Sequence, residues 1–220
     1  MQELFESFIK PDKILTREAI THEARMTYWG HLGATIYQFH SMHSAAELDA
    51  ILQGEPTIVA TAQACYDYAI NGVLRPATSD VEAESISHDW KALASLIRAA
   101  RYGIEFFSPE VDGEDVGVPD QLEQLMFHAM LRARLDLATI PNLDEDVLPS
   151  PLRPATSHKL NLKEIGVLAR MEEKSVRNAT QPKAPDRLQT CKEGTRTVVE
   201  FHEALRWLKG RRHFKPTVID

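Results

Sequence analysis

The chain has 220 residues, 43% hydrophobic and 26% charged, with 10 Gly and 12 Pro, proportions that exclude a disordered or fibrous chain. Its apolar runs are a few residues long, far below the roughly 20 needed to cross a bilayer. Its 25 Lys and Arg against 32 Asp and Glu leave a net charge of -7, and two cysteines, Cys65 and Cys191, are too few for a disulfide framework. The opening MQELFESFIKPDK mixes charge into its apolar positions, unlike a secretory signal, so a cytoplasmic protein is expected.

Residues 1–139 read as helix after helix, an acidic all-helical domain with no strand run. Thr16 is placed to cap a helix from Arg17, with Glu18 in favourable register with the helix dipole. Ser44 and Glu47 fit a capping box, followed by Leu48, Ile51 and Leu52 on one face and a stop at Gly54 and Pro56. The stretch from Pro56 to Asn71-Gly72 predicts another helix, with proline in its first turn and glycine past its end. Ser87 and Asp89 start a fourth, in which Trp90, Leu93, Ile97 and Ala100 share a face as far as Gly103. The acidic PEVDGEDVGVP, residues 109–119, predicts a loop. A fifth helix follows from about Pro119 to Ala138 with Leu122, Leu125, Met126, Ala129 and Leu135 inside.

Chemistry finds little purchase in this half. His40, His43 and Glu47 have a spacing that could hold a metal, but a cap at Ser44 breaks the helix between them and gives Glu47 another task. HExxH, CxxC, GxxxxGK[ST], GxGxxG and Gly-x-Ser-x-Gly are all missing, so no enzyme, metal or cofactor is expected. Tyr28, Trp29, Tyr37, Phe39, Tyr66 and Tyr68 are expected as core, with a pocket for a small effector as the alternative.

Residues 140–158, IPNLDEDVLPSPLRPATSH, hold Pro141, Pro149, Pro151 and Pro154 and follow neither a helical nor a strand period, which predicts a semi-rigid linker. The charge changes sign across it. Residues 158–220 carry 14 Lys and Arg against 8 Asp and Glu, a surplus of 6; residues 1–157 carry 11 against 24, a deficit of 13. A basic terminal segment on an acidic body points to contact with a polyanion.

In LKEIGVLARMEEKSVRNA, residues 162–179, counting Leu162 as the first position puts Ile165, Ala169, Met171, Val176 and Ala179 at the fourth, eighth, tenth, fifteenth and eighteenth. These are the positions that two steeply crossed helices bury, with Gly166 as the small residue at their contact. The segment resembles the helix-turn-helix of bacterial regulators. Residues 188–199, rich in Thr and Val, read as two short strands turning at Glu193-Gly194, and Glu200–Lys209 as a helix with Phe201, Ala204, Leu205 and Leu208 on one side. This order over roughly residues 160–216 resembles the winged helices of the MerR and excisionase-like group. Arg170 departs from that pattern, standing where the family usually has Gly.

The expected fold is therefore mainly α: a helical domain (1–139), a Pro-rich linker (140–158) and a basic winged helix-turn-helix with a short hairpin (159–220). The resemblance implies a sequence-specific double-stranded DNA-binding protein, a transcriptional regulator that acts as a homodimer, with a possible small-molecule or protein effector on the acidic domain. A recognition helix over about 172–181 would enter the major groove, offering Lys174, Ser175, Arg177, Asn178 and Gln181; Arg suits guanine edges and Asn or Gln adenine. Lys183, Lys192, Thr195, Arg196, Arg211 and Arg212 would hold phosphates or reach the minor groove from the wing and its neighbours, as would Lys163. The competing readings are a protein-interaction module and an accessory protein of the antitoxin or excisionase type. A further expectation is that the acidic body folds over the basic domain and closes it to DNA.

Overall fold

The computed structural model of the chain describes residues 15–39, 55–103, 110–111, 114–153 and 159–220. Helix α1 (Arg17–Phe39) starts where its cap predicts, Thr16 Oγ1 accepting from the Ala19 amide at 3.1 Å. The expected helix over 44–53 lies outside the described residues. Helix α2 (Thr57–Tyr66) runs on without a break as one π turn, Asp67–Asn71. Gly72 ends it at φ 71° and ψ 25°, the left-handed conformation that glycine reaches at least cost.

Helix α3 (Asp80–Gly103) begins seven residues before the predicted Ser87. Ser79 Oγ accepts from the Glu82 amide at 3.3 Å, while the Glu82 carboxylate accepts from the Thr78 amide at 2.7 Å and its hydroxyl at 2.6 Å. Capping starts this helix before any apolar stripe does: Val81, in the first turn, is 80% exposed. The segment read as a loop over 109–119 contains a small antiparallel hairpin, β2 (Glu110–Val111) and β3 (Glu114–Asp115). With β1 (Val73–Leu74) it corrects the expectation of a strandless amino-terminal half.

Helix α4 (Asp120–Thr139) is buried on every side from Leu122 to Asp136, and packs against α1, α2 and α3 on its amino-terminal neighbours' side. A helix in that position must match each polar group inside the core with a partner. Glu123 accepts two bonds from Arg101, and the Glu23 carboxylate caps the helix start by accepting from the Leu122 amide at 2.6 Å. The proline-rich stretch is not wholly extended: two 3-10 turns, Glu145–Val147 and Ser150–Leu152, bury Leu148, Pro149, Pro151 and Leu152 against α3 and α4.

The carboxy-terminal residues form β4 (Lys159–Asn161), α5 (Leu162–Ala169), α6 (Glu173–Ala179), β5 (Cys191–Glu193), β6 (Arg196–Glu200), α7 (Phe201–Lys209) and β7 (Val218–Ile219). The sheet order is β4–β6–β5, all antiparallel, and β7 leaves it to pair in parallel with β1. Helices α5 and α7 lie on α4, and one cluster of buried side chains runs continuously from Leu15 to Phe214. The protein is mainly helical, and no helix among the described residues is long and apolar enough to cross a membrane.

Candidate nucleic-acid interface

The α5–α6 pair is held at its start by an Asn-x-x-Glu capping box. Asn161 Oδ1 accepts from the Glu164 amide at 2.9 Å, and Glu164 Oε2 accepts from the Asn161 amide at 2.7 Å. The other oxygen of the same carboxylate accepts from Arg134 Nη1 at 2.6 Å, and Arg134 Nη2 donates to the Lys159 carbonyl at 2.8 Å. One glutamate thus both starts α5 and docks it on α4.

The turn between the two helices closes as a Schellman motif, with the Met171 amide on the Gly166 carbonyl at 2.9 Å and the Arg170 amide on that of Val167 at 3.1 Å. Arg170 occupies the left-handed position, at φ 53° and ψ 48°, a conformation that costs a non-glycine residue about 1 kcal/mol. At Gly166 a Cβ would lie 2.9 Å from the Met171 carbonyl oxygen, so the chain crosses itself there at a distance only glycine permits.

In α6, Val176 is fully buried, Ala179 half-buried, and Lys174, Arg177 and Asn178 exposed; Gln181, just past the helix, is exposed and Ser175 half-buried. Arg177 donates to Glu173 at 2.5 Å, an (i, i+4) pair open to solvent. Glu172 is the amino-terminal cap by backbone conformation, and its side chain makes no capping bond. Strands β5 and β6 pair Glu193 with Arg196, leaving Gly194-Thr195 as a two-residue turn. Gly194 takes φ 60° and Thr195 keeps a negative φ, the pattern of a type II′ hairpin. Lys192, Thr195 and Arg196 are exposed on it, with Lys192 Nζ donating to Thr197 Oγ1 at 2.8 Å. Lys183 and Arg212 are exposed as well, and Lys163 is half-buried.

Arg211 is differently employed. Its guanidinium lies 4.2 Å over the Trp207 ring, and donates to Asp186 and to the Trp207 carbonyl. Asp186 also accepts from Arg206 at 2.8 Å, while its backbone carbonyl takes the Trp207 indole N–H at 3.0 Å. Glu203 accepts from the Gln189 amide at 2.8 Å and from Arg206, whose proximity holds its carboxyl below the usual range. These groups fix the loop between α6 and β5 onto α7. The Glu203/Arg206 spacing makes one pair legible in the sequence; Asp186 gave no local signal, because its partners lie twenty or more residues away.

The amino-terminal candidates divide. His40, His43 and Glu47 lie outside the described residues, as do the side chains of Tyr37 and Phe39. Tyr28 and Trp29 meet edge to face with ring centroids 4.9 Å apart, and Tyr68 is buried. Among the described residues, no group of three or more His, Cys, Asp or Glu is arranged to hold a metal ion. Comparison of the chain with protein-family models, with curated proteins and with solved structures finds no match.

Proposed function

We propose that the chain is a sequence-specific double-stranded DNA-binding protein, a transcriptional regulator whose residues 159–220 form a winged helix-turn-helix similar to the MerR and excisionase-like group. Helix α6 enters the major groove and the β5–β6 hairpin serves as the wing. The observation that supports this most is α6 itself: it buries Val176 and leaves Lys174, Arg177 and Asn178 exposed, on a segment with a surplus of 6 positive charges. Its pairing with Glu173 does not disable Arg177. An exposed (i, i+4) pair contributes about 0.3–0.5 kcal/mol, whereas a bidentate guanine contact is worth about 1–3 kcal/mol. Arg211 leaves the set of phosphate contacts for its structural role; Lys183, Lys192, Arg196 and Arg212 remain in it. The acidic helical body supplies the homodimer that sets two α6 helices about 34 Å apart on one face of DNA.

The test is fluorescence anisotropy of the full chain with the duplex upstream of its own gene and with random duplex, from about 50 to 300 mM salt. Four to six phosphate contacts give a log–log slope of roughly -4 to -5. The upstream duplex is expected to bind more tightly, and Arg177→Ala with Asn178→Ala to erase that preference while the fold and oligomeric state persist. Flat or absent binding to both duplexes sinks the proposal and leaves the carboxy-terminal unit as a protein-binding module.

A further inference from the structure

Glu173 stands beside Arg177, the guanine-reading candidate of α6. Its Oε1 accepts from Arg177 Nη2 at 2.5 Å, with the glutamate side chain 42% and the arginine side chain 68% exposed. Val176, fully buried, sets the rotation of α6, which leaves Arg177 and Asn178 outside and Glu173 half-buried at the flank. The backbone of Glu173 is pinned where the two helices cross. A Cβ on Gly166 would lie 3.6 Å from the Glu173 nitrogen and 3.7 Å from its Cα, so the first residue of α6 rests directly against α5. Glu173 is therefore held in place by the helix crossing, and Arg177, one turn further on, is a long side chain tied to it.

The chemistry of the pair limits what it can read. Two opposite charges in contact carry no net charge, so Glu173 enters a groove walled by phosphates at less cost than a lone carboxylate. Its bond to Arg177 takes one N–H of a fork that has five, and the rest can donate to the N7 and O6 of a guanine. Glu173 Oε2 makes no hydrogen bond among the described residues, and it can only accept. In the major groove the cytosine amine suits such an oxygen. The adenine amine is also a donor, but its neighbouring N7 is an acceptor that a carboxylate repels. The paired tips lie 2.5 Å apart, less than the roughly 3.4 Å between stacked bases, so they address two consecutive base pairs.

We propose that Glu173 is a positioning and specificity-determining residue, which holds Arg177 on a guanine and accepts the amine of a cytosine in the adjoining base pair. The preferred duplex carries that guanine and cytosine in consecutive base pairs of each half-site. This deepens the DNA-binding reading above and rests on it.

The experiment is selection from a library of random duplexes by the full chain, with sequencing of the bound fraction. Competition binding by single-base variants of the enriched duplex follows. The wild-type chain is expected to enrich the guanine–cytosine step and to lose about fivefold or more in affinity when either base is changed. Glu173→Gln is expected to move the preference at the cytosine position to adenine, whose N6 and N7 suit an amide. Glu173→Ala is expected to erase the preference at that position and to weaken that for the guanine, which Arg177 still contacts. Arg177→Ala is expected to erase the guanine preference. Thermal melting confirms that the variants fold, neither side chain being buried. If Glu173 were only a solvated charge, its removal would tighten binding to every sequence alike, because one repulsion of phosphate is lost. That outcome, an enriched motif without the step, or one that Glu173→Gln leaves unchanged, overturns the proposal while the regulator reading stands. Failure of the wild-type chain to enrich any motif overturns both.

Discussion

His128 is enclosed within α4, where its Nε2 has no hydrogen-bond partner among the described residues, and burial, reinforced by the Arg132 and Arg170 guanidinium groups, holds its imidazole well below the ordinary value of 6.5. The consequence for stability has a definite sign. Below about pH 6.5 the unfolded chain takes up a proton that the folded chain refuses, so stability present above that pH is lost as pH falls, by about 1.4 kcal/mol per pH unit. A His128→Leu variant, similar in volume and uncharged, is expected to lose this part of the slope. The measurement is urea unfolding of both proteins between pH 5 and 7.5; parallel stability profiles would show that His128 is not the titrating group. Nothing in the sequence marks this histidine, because the burial that shifts it, and the Arg170 charge from the α5–α6 turn that adds to the shift, arise only when the helices pack. Arg170 is the converse case: its conflict with the left-handed position was visible from position alone, and the turn keeps its shape at that cost.

Caps and periodicity made most helices readable, and they failed where the two signals separate. Thr16, Pro56 with Gly72, and Pro119 each bracket a helix whose apolar period begins at once, so α1, α2 and α4 fall where expected. In α3 the first two turns are acidic and exposed, so the period starts at Trp90 while the cap stands at Ser79. Long-range docking was not legible at all. Glu164 closes its capping box with Asn161 only three residues away, but its pairing with Arg134 joins residues 30 positions apart. The two side chains are only 6% and 3% exposed, so removing one leaves the other charged and buried. Glu164→Ala is expected to cost about 3–5 kcal/mol. That corresponds to a fall in Tm of roughly 10 °C for a chain of this size. Arg134→Met in the same chain should recover part of the loss, since an apolar pair replaces an orphaned charge. Thermal melting of the single and double variants decides it: a double variant no more stable than Glu164→Ala would mean that the capping bonds, not the buried pair, carry the effect.

At the scale of the whole chain, the sign change in charge is visible in the sequence, but the way the two halves join is not. The basic unit does not hang from its proline-rich connection; it lies on α4, and the acidic body leaves the polar face of α6 exposed, so the expected closed state over that face is not the arrangement observed. The junction is completed by the last residues of the structure. Arg132 donates to the Ala69 and Lys215 carbonyls and to Thr217 Oγ1, each at 2.9 Å, with its guanidinium 5.0 Å over the Phe214 ring. Asp136 accepts from Tyr68 at 3.0 Å and from Thr217 at 2.7 Å, and burial raises its carboxyl against the opposing pull of Arg132 and the two hydroxyls. Backbone bonds finish the join, the Val218 amide on the Gly72 carbonyl at 2.8 Å and the Asp220 amide on that of Leu74 at 2.9 Å. Gly72 is where this contact is tightest: a Cβ there would stand 2.7 Å from the Pro216 oxygen and 2.9 Å from that of Lys215. Backbone atoms cannot yield as a flexible side chain would, and φ 71° already disfavours alanine. Gly72→Ala is therefore expected to cost about 2–3 kcal/mol, from strain at the α2 terminus and from detachment of the terminal segment together. Hydrogen exchange separates the two contributions. Detachment exposes the Val218 and Asp220 amides while the Ile165 amide inside α5 keeps its protection; strain alone lowers protection evenly across the chain. An even loss, or none, would mean that β7 does not depend on the close approach at Gly72.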